Sequence, residues 1–321
     1  MGEGILFTYS KGVLALDGIL PLWKPKGMTS HDCVFKARKL LQTKKIGHTG
    51  TLDPDVEGVL PLCIGQATKV VPYLTDTSKT YVAEVTLGTS TETEDKSGEV
   101  IEEKQITEPI PVAVIEKVLK SFLGETEQIP PMYSAVKVGG RKLYEYARQG
   151  QVVERPVRRI TIHSIELHKD SVRADGSVFG FTVSCSKGTY IRTLCVDIGK
   201  ALGYPAHMSS LVRTQAGAFS AQDTVTFAKI EEAMEAGTIE QLLQPVTKAV
   251  DYLPLIEADA EIEQKVRFGQ RLPRPAEADL YRVQRGEKLL GIYETHPSYS
   301  QLLKPKRVFV SGKAGGTDAN D

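Results

Sequence analysis

The stretch "GHTGTLDPDVEGVLPLCIG", Gly47 to Gly65, holds one histidine, three carboxylates and four glycines, with Pro54 directly behind Asp53. A proline clashes with the backbone of the residue before it, so Asp53 is pushed out of the α region and held extended, while the glycines let the chain come close to a ligand. A carboxylate on such a stiffened loop suits nucleophilic or acid–base chemistry, and His48 stands close enough in sequence to stack or carry a proton. An Asp-Pro turn with incidental polar neighbours fits the same letters, so the stretch by itself leaves both readings open. Metal binding has less support, because His48, Asp53, Asp55 and Glu57 follow no recognised ligand spacing.

Upstream of this loop, "GILPLWKPKGMTS" reads as a short strand broken by Pro25 and Gly27. Ser30 is placed to cap a helix from about His31 to Leu41, with Val34, Ala37, Leu40 and Leu41 on one face. Downstream, "QATKVVPYL" reads as a short helix, and "KTYVAEVTLG" alternates like a strand with Tyr81, Ala83, Val85 and Leu87 on one side. "STETEDKSGEVIEE" reads as an acidic loop, and a helix is expected from about Val112 to Leu123. "RRITIHSIELHKD" and "SVFGFTVSCSKGTY" read as successive strands, the second feeding a helix from about Tyr190 to Leu202. Strands and helices thus mix without regular βαβ alternation, which implies an α+β fold with a mixed, largely antiparallel sheet and flanking helices. Beyond Pro245 the pattern becomes β-rich, with a short helix from Ile262 to Phe268 and strands at Tyr281–Gln284, Leu289–Tyr293 and Arg307–Val310. The expected organisation is an N-terminal lead (1–16), a first domain (17–245), a small second domain (246–311) and a disordered tail (312–321).

The chain has 321 residues and a formal net charge of zero, so there is no whole-molecule pull on a polyanion. Charge by segment is less even. Glu84 to Glu125 holds ten acidic residues against four lysines, Tyr133 to Arg159 seven basic against two acidic, and Lys265 to Arg307 ten basic against four acidic. Two basic regions distant in sequence can form one positive surface, although solvated faces account for most such runs. Cys33, Cys63, Cys185 and Cys195 form no C-x-x-C pair and read as buried thiols of a reducing compartment. No apolar run approaches the roughly 18 residues of a membrane span, and no secretory signal opens the chain, so a cytoplasmic protein without membrane contact is expected.

Five fragments in order, "LWKPKGMTS", "GHTGTLDP" with "GVLPLCIGQATK" behind it, "KTYVAEVTLG", "PPMYSAVKVGGRKLYEYAR" and "CSKGTYIRTLCVDIG", resemble bacterial tRNA pseudouridine synthases of the TruB type. The resemblance spans roughly Ile19 to Ser220. It implies isomerisation of a uridine to pseudouridine at position 55 of the TΨC arm of tRNA, by a monomer needing neither cofactor, metal nor protein partner. Asp53 in "TLDP" matches the family's essential aspartate, as nucleophile toward the sugar or the uracil, or as the base that removes a ribose proton. Arg192 in "GTYIRT" matches the arginine that pairs with it, a contact expected to lower the carboxyl's pKa. Tyr81 matches an active-site tyrosine against the target base, and Tyr190 and Leu211 match pocket-wall residues. His48 would stack among the bases left behind when the uridine is flipped out. Lys24 and Pro25 match a lysine-proline pair read as structural support for the catalytic loop. The segment from about 128 to 155 resembles an RNA-binding thumb, with Lys137, Arg141, Lys142 and Arg148 as phosphate contacts among tyrosines. The second domain resembles a PUA-type RNA-binding domain in position and size.

The chain departs from the family pattern at Asp55-Val56-Glu57, at Trp23 and in the lead from Met1 to Leu16. Carboxylates facing Asp53 would raise its pKa, so Asp55 and Glu57 are expected to point away. Three other readings remain at this stage: a guide-RNA-dependent pseudouridine synthase, an RNA-binding or RNA-folding module without turnover, and a hydrolase using Asp53. The last lacks a second group placed to activate water.

Overall fold

The computed structural model describes residues 16–310, so the expectations for the tail, and for the lead before Leu16, lie outside the described residues. The first part of the chain runs β1 (Gly18–Lys24), α1 (Ser30–Leu40), β2 (Ile46–His48), β3 (Glu57–Ile64), α2 (Val71–Thr75), β4 (Lys79–Leu87), β5 (Thr89–Thr91), β6 (Val100–Glu103), α3 (Val112–Ser121) and β7 (Gly124–Gln128). It continues through β8 (Lys137–Val138), β9 (Arg141–Lys142), α4 (Leu143–Ala147), β10 (Arg158–His168), β11 (Val178–Cys185), α5 (Ile191–Leu202), β12 (Ala206–Ala216), β13 (Phe219–Ser220) and α6 (Phe227–Glu235). The large sheet orders these strands β1-β3-β12-β4-β11-β10-β7, with β2 added to β3 and β13 to β12. Every pairing in it is antiparallel except β3 with β12. The fold is therefore the expected α+β mixture.

The opening stretch is a loop only in its middle. Its second half is β3, where the continuous apolar run "GVLPLCI" is buried on both faces. Leu60, Leu62 and Ile64 face a core closed by α1 and α6, and Val59 and Cys63 face the opposite side, against Phe219, Val250 and Ile292. Residues buried on both faces lose the polar–apolar alternation that marks a half-exposed strand, which is why this one hides in its sequence. A third core lies under α3 and α5, where Ala83, Val85 and Leu87 of β4 meet Phe179, Phe181, Leu194 and Ile198.

The cap of α1 also differs from expectation. Thr29, not Ser30, is the cap, accepting from Asp32 N while Asp32 returns a bond to Thr29 N at 2.8 Å. Ser30 is turned inward and holds Leu52, with Leu52 N donating to its hydroxyl at 2.9 Å. The acidic segment after β4 is not all loop, since β5 and β6 pair as a small hairpin within it.

The second sheet orders β14 (Leu255–Glu257), β16 (Leu280–Arg285), β17 (Lys288–Thr295), β18 (Leu302–Val308) and β15 (Leu272–Pro273), with α7 (Ala260–Arg267) alongside. The last main strand begins five residues before the expected Arg307, because it pairs with the whole end of β17. This β-rich unit has its own core around Tyr281, Val283, Leu290 and Tyr293. It docks on the first through Leu289 and Ile292, which pack with Val70, Tyr73 and Val250, and Lys69 Nζ reaches Val308 O at 2.8 Å.

Candidate active site

Asp53 sits in the turn entering β3, which lies between β1 and β12 in the large sheet. The position depends on Gly58, whose φ of +124° and lack of side chain let β3 lie parallel against β12, with Gly58 opposite Arg213. A Cβ on Gly58 would stand 2.7 Å from Arg213 N and closer still to its carbonyl oxygen. On the other side of β12, Leu211 and Arg213 pair with Ala83 and Tyr81 of β4. Adjacent registers thus bring Asp53, Leu211 and Tyr81 to one cleft, and Arg192 enters it from the first turn of α5.

The cleft of about 860 Å³ is lined by Leu52, Asp53, Tyr81, Tyr190, Arg192, Leu211 and Arg213, among others. Arg192 Nε lies 3.1 Å from Asp53 Oδ2. The guanidinium is itself nearly buried and is aimed by two carbonyls, donating to Thr93 O and Tyr133 O at 2.9 Å each. Its far side lies 3.9 Å from Asp95 Oδ2. Arg192 therefore divides its charge among two carboxylates and two carbonyls.

The Asp53 pKa moves opposite to the expected direction. The carboxyl is pushed above its ordinary value, first because protein surrounds and desolvates it, with Arg192 pulling against that effect and Asp95 adding to it. The side chain keeps 44% of its surface open to the cleft, so the ionised form remains accessible to a ligand. Asp55 is exposed and weaker than Asp95 in its influence, and Glu57 is drawn off by Lys26 at 3.7 Å. The acidic neighbour that matters is thus Asp95. Its other oxygen accepts from the Thr93 hydroxyl at 2.7 Å and from Ser97 N at 2.9 Å.

Lys24 is wholly buried beneath the loop. Its ammonium donates to Val56 O at 2.6 Å, Pro25 O at 3.0 Å and Pro54 O at 3.1 Å, and burial lowers its pKa. Pro25 contributes that carbonyl. The Tyr81 hydroxyl is pushed up by burial, against a pull from Arg213. Tyr190 has its backbone clamped at both ends by the Gln128 amide, at 2.8 and 3.0 Å.

Other expected residues lie apart. His48 does not line the cleft; it stands edge-on to His31 with ring centroids 5.7 Å apart, and its Nδ1 has no partner among the described residues. Lys137, Arg141, Lys142 and Arg148 are also outside it. Arg141 lies over Tyr146, and Lys142 and Arg148 lie over Tyr144. From the same segment, Tyr133, Ser134, Ala135 and Tyr144 instead line the cleft.

Three charged residues of the site were not anticipated from sequence. Asp95 was part of the run read as an acidic loop. Arg213, 1% exposed, donates from Nε to Val59 O at 2.8 Å and from Nη2 to Gly50 O at 3.2 Å. Lys79 donates to Thr75 O at 2.6 Å, and burial lowers its pKa to about 8. A polar residue inside a strand's apolar alternation was the available signal for Lys79 and Arg213; Asp95 carried none.

The chain is similar to known proteins along most of its length. Residues 38–191 match the TruB family pseudouridylate synthase (N terminal domain), and residues 192–251 match the tRNA pseudouridylate synthase B C-terminal domain. The chain is 55% identical over 299 residues to tRNA pseudouridine synthase B of Oceanobacillus iheyensis, covering 92% of this chain and 98% of that one. It is 51% identical over 305 residues to the Bacillus subtilis (strain 168) protein of that name, again with 92% and 98% covered. Among solved structures, a Cbf5-Nop10-Gar1 complex is similar with a TM-score of 0.72 and 29% identity, over 92% of this chain and 85% of that one. A structure of an H/ACA RNP bound to a substrate RNA containing 2'-deoxyuridine follows at a TM-score of 0.70 and 27% identity, over 91% and 85%. The chain belongs to the TruB family of tRNA pseudouridine synthases.

Proposed function

We propose that the protein converts the uridine at position 55 in the TΨC arm of tRNA to pseudouridine, flipping the nucleotide into the Asp53 cleft and using no cofactor. The observation that carries this reading is the 3.1 Å pair of Asp53 with Arg192 in a cleft walled by Tyr81 and Leu211. The cleft's volume lies in the range of small-ligand pockets and leaves room for a nucleotide. In the reaction the C1′–N1 bond breaks and a C1′–C5 bond forms, C5 loses a proton and N1 gains one, and the atoms balance without redox change. Asp53 acts in its ionised form, at C1′ as nucleophile or at C2′ as base. Arg192 aims it, Tyr81 stacks on the uracil and Leu211 and Tyr190 bound the pocket. Lys24 and Pro25 hold the loop, and His48 occupies the space the base leaves.

The division of labour follows the chain. Residues 17–245 carry the chemistry, the thumb from about 128 to 155 meets phosphates through Lys137, Arg141, Lys142 and Arg148, and 246–311 adds RNA contact as a PUA-like domain. The protein acts as a monomer in the cytoplasm without a protein partner. Unmodified tRNA tritiated at uridine C5 tests the reading. The pure protein without added cofactor releases tritium from position 55, and Asp53→Asn binds the tRNA without turnover. Absence of release by the unaltered protein overturns it.

A further inference from the structure

We infer that one exposed face of α1, carrying His31, Phe35 and Lys39, continues the His48 surface as a stacking ledge for unpaired loop nucleotides flanking the flipped uridine. The inference rests on the RNA reading above and extends it to residues that reading does not use. The three residues stand at i, i+4 and i+8, so they align on one side of the helix over about 12 Å. All three are exposed, Phe35 by 60% of its surface. The helix does not need Phe35 for its core, since Cys33, Val34, Ala37 and Leu41 already fill that face. Lys39 Nζ lies 4.5 Å from the centroid of the Phe35 ring, a cation on an aromatic face that remains open to solvent.

Charge selects the partner. From Cys33 to Leu52 the chain carries five lysines and arginines and no carboxylate. Lys36 is turned aside to Glu231 at 3.1 Å, whereas Lys39, Lys44 and Lys45 have exposed side chains in residues 39–45. An aromatic ring set among free cations suits a base and its phosphate better than an apolar protein surface. Position selects the nucleotides. His31 meets His48, and its neighbour Ser30 holds Leu52, the residue before Asp53, so the ledge is tied to the catalytic loop. Bases adjoining one that enters the cleft leave it over this ledge.

The test compares Phe35→Ala and Phe35→Tyr with the unaltered Phe35, in tritium release and, with Asp53→Asn added to all three proteins so that nothing is turned over, in equilibrium binding of an unmodified tRNA transcript. Phe35→Ala is expected to raise Kd and KM by roughly 5- to 100-fold, the range for losing one stacked base. Its kcat stays within about twofold, since the ring touches no reacting atom. Phe35→Tyr restores both constants. An exposed helical Phe→Ala change leaves the fold intact, which a melting curve checks. Unchanged Kd for Phe35→Ala overturns the inference, as does a defect that Phe35→Tyr fails to restore or a change in self-association with RNA affinity intact. Binding is read without turnover, so failure of the uridine-55 reading shows separately, as absence of tritium release by the unaltered protein.

Discussion

The ammonium of Lys24 donates to Val56 O at 2.6 Å from a position with no solvent exposure, and the same ammonium holds Pro54 O on the other side of Asp55. Two carbonyls straddling one residue fix the path of the chain immediately after Asp53. The Asp53 carboxylate is therefore placed from below by a buried cation that does not itself line the cleft.

Lys24→Met keeps the length of the side chain and removes its donors. It is expected to leave the buried Val56 carbonyl without its donor, while Pro54 O keeps Gly27 N, at a cost of about 1–3 kcal/mol seen as a lower urea midpoint. Turnover should fall more than tRNA affinity, because the loop that carries Asp53 loses its support.

Gly58→Ala is expected to be more damaging. The left-handed φ of +124° already disfavours a side chain, and the new Cβ meets the backbone of Arg213. About 3 kcal/mol or more of stability is lost and β3 separates from β12. Thermal melting and hydrogen exchange at the amides of residues 57–60 and 211–214 check this outcome.

The pH dependence of turnover follows from Asp53. Its pKa is raised by burial and its working form is ionised, so activity is present above that raised value and lost as the pH falls through it. The acid limb of the single-turnover rate should lie above the ordinary carboxylate value of 3.8. The linkage to stability has the opposite sense. A carboxyl that titrates higher in the folded state favours folding while protonated, and that contribution declines as the pH rises from the unfolded value to the folded one. Asp53→Asn abolishes the titration, so the difference in melting temperature between it and the unaltered protein should vary with pH over that interval.

In the C-terminal β-rich unit Glu263 accepts from Arg267 at 2.7 Å and Arg285 at 2.6 Å, and those bonds lower its pKa from 4.5 to about 2. A depressed carboxyl contributes stability that is fully present above the unfolded value and lost as the pH falls towards the folded one. The melting difference between the unaltered protein and Glu263→Gln should be constant above roughly pH 5 and should close as the pH falls from 4.5 towards 2.

Parts of the structure written as local patterns were legible in the sequence. The alternation of β4, the amphipathic face of α1, the helical runs of α3 and α5 and the Asp53-Pro54 turn all depend on residues close in the chain. Strand β3 was not legible, because burial on both faces removes alternation. The cap of α1 was misplaced by one residue, since Thr29 and Ser30 both have hydroxyls and only the position of Leu52 turns Ser30 inward. The site was legible where a motif carried it, at Asp53, Tyr81 and Arg192. Asp95 was hidden in an acidic run, as nothing local distinguishes a carboxylate that will face a buried arginine from one that will face water.

The sequence by itself determined the family, the mixed fold and the stiffened loop that carries Asp53, because motif spacing, periodicity and the steric effect of proline are properties of the chain. Only the tertiary structure decided the charge environment of that carboxylate. Burial and the division of Arg192 among Asp53, Asp95 and two carbonyls depend on strands and helices far apart in sequence, and electrostatic energy is set by distance and solvent in space.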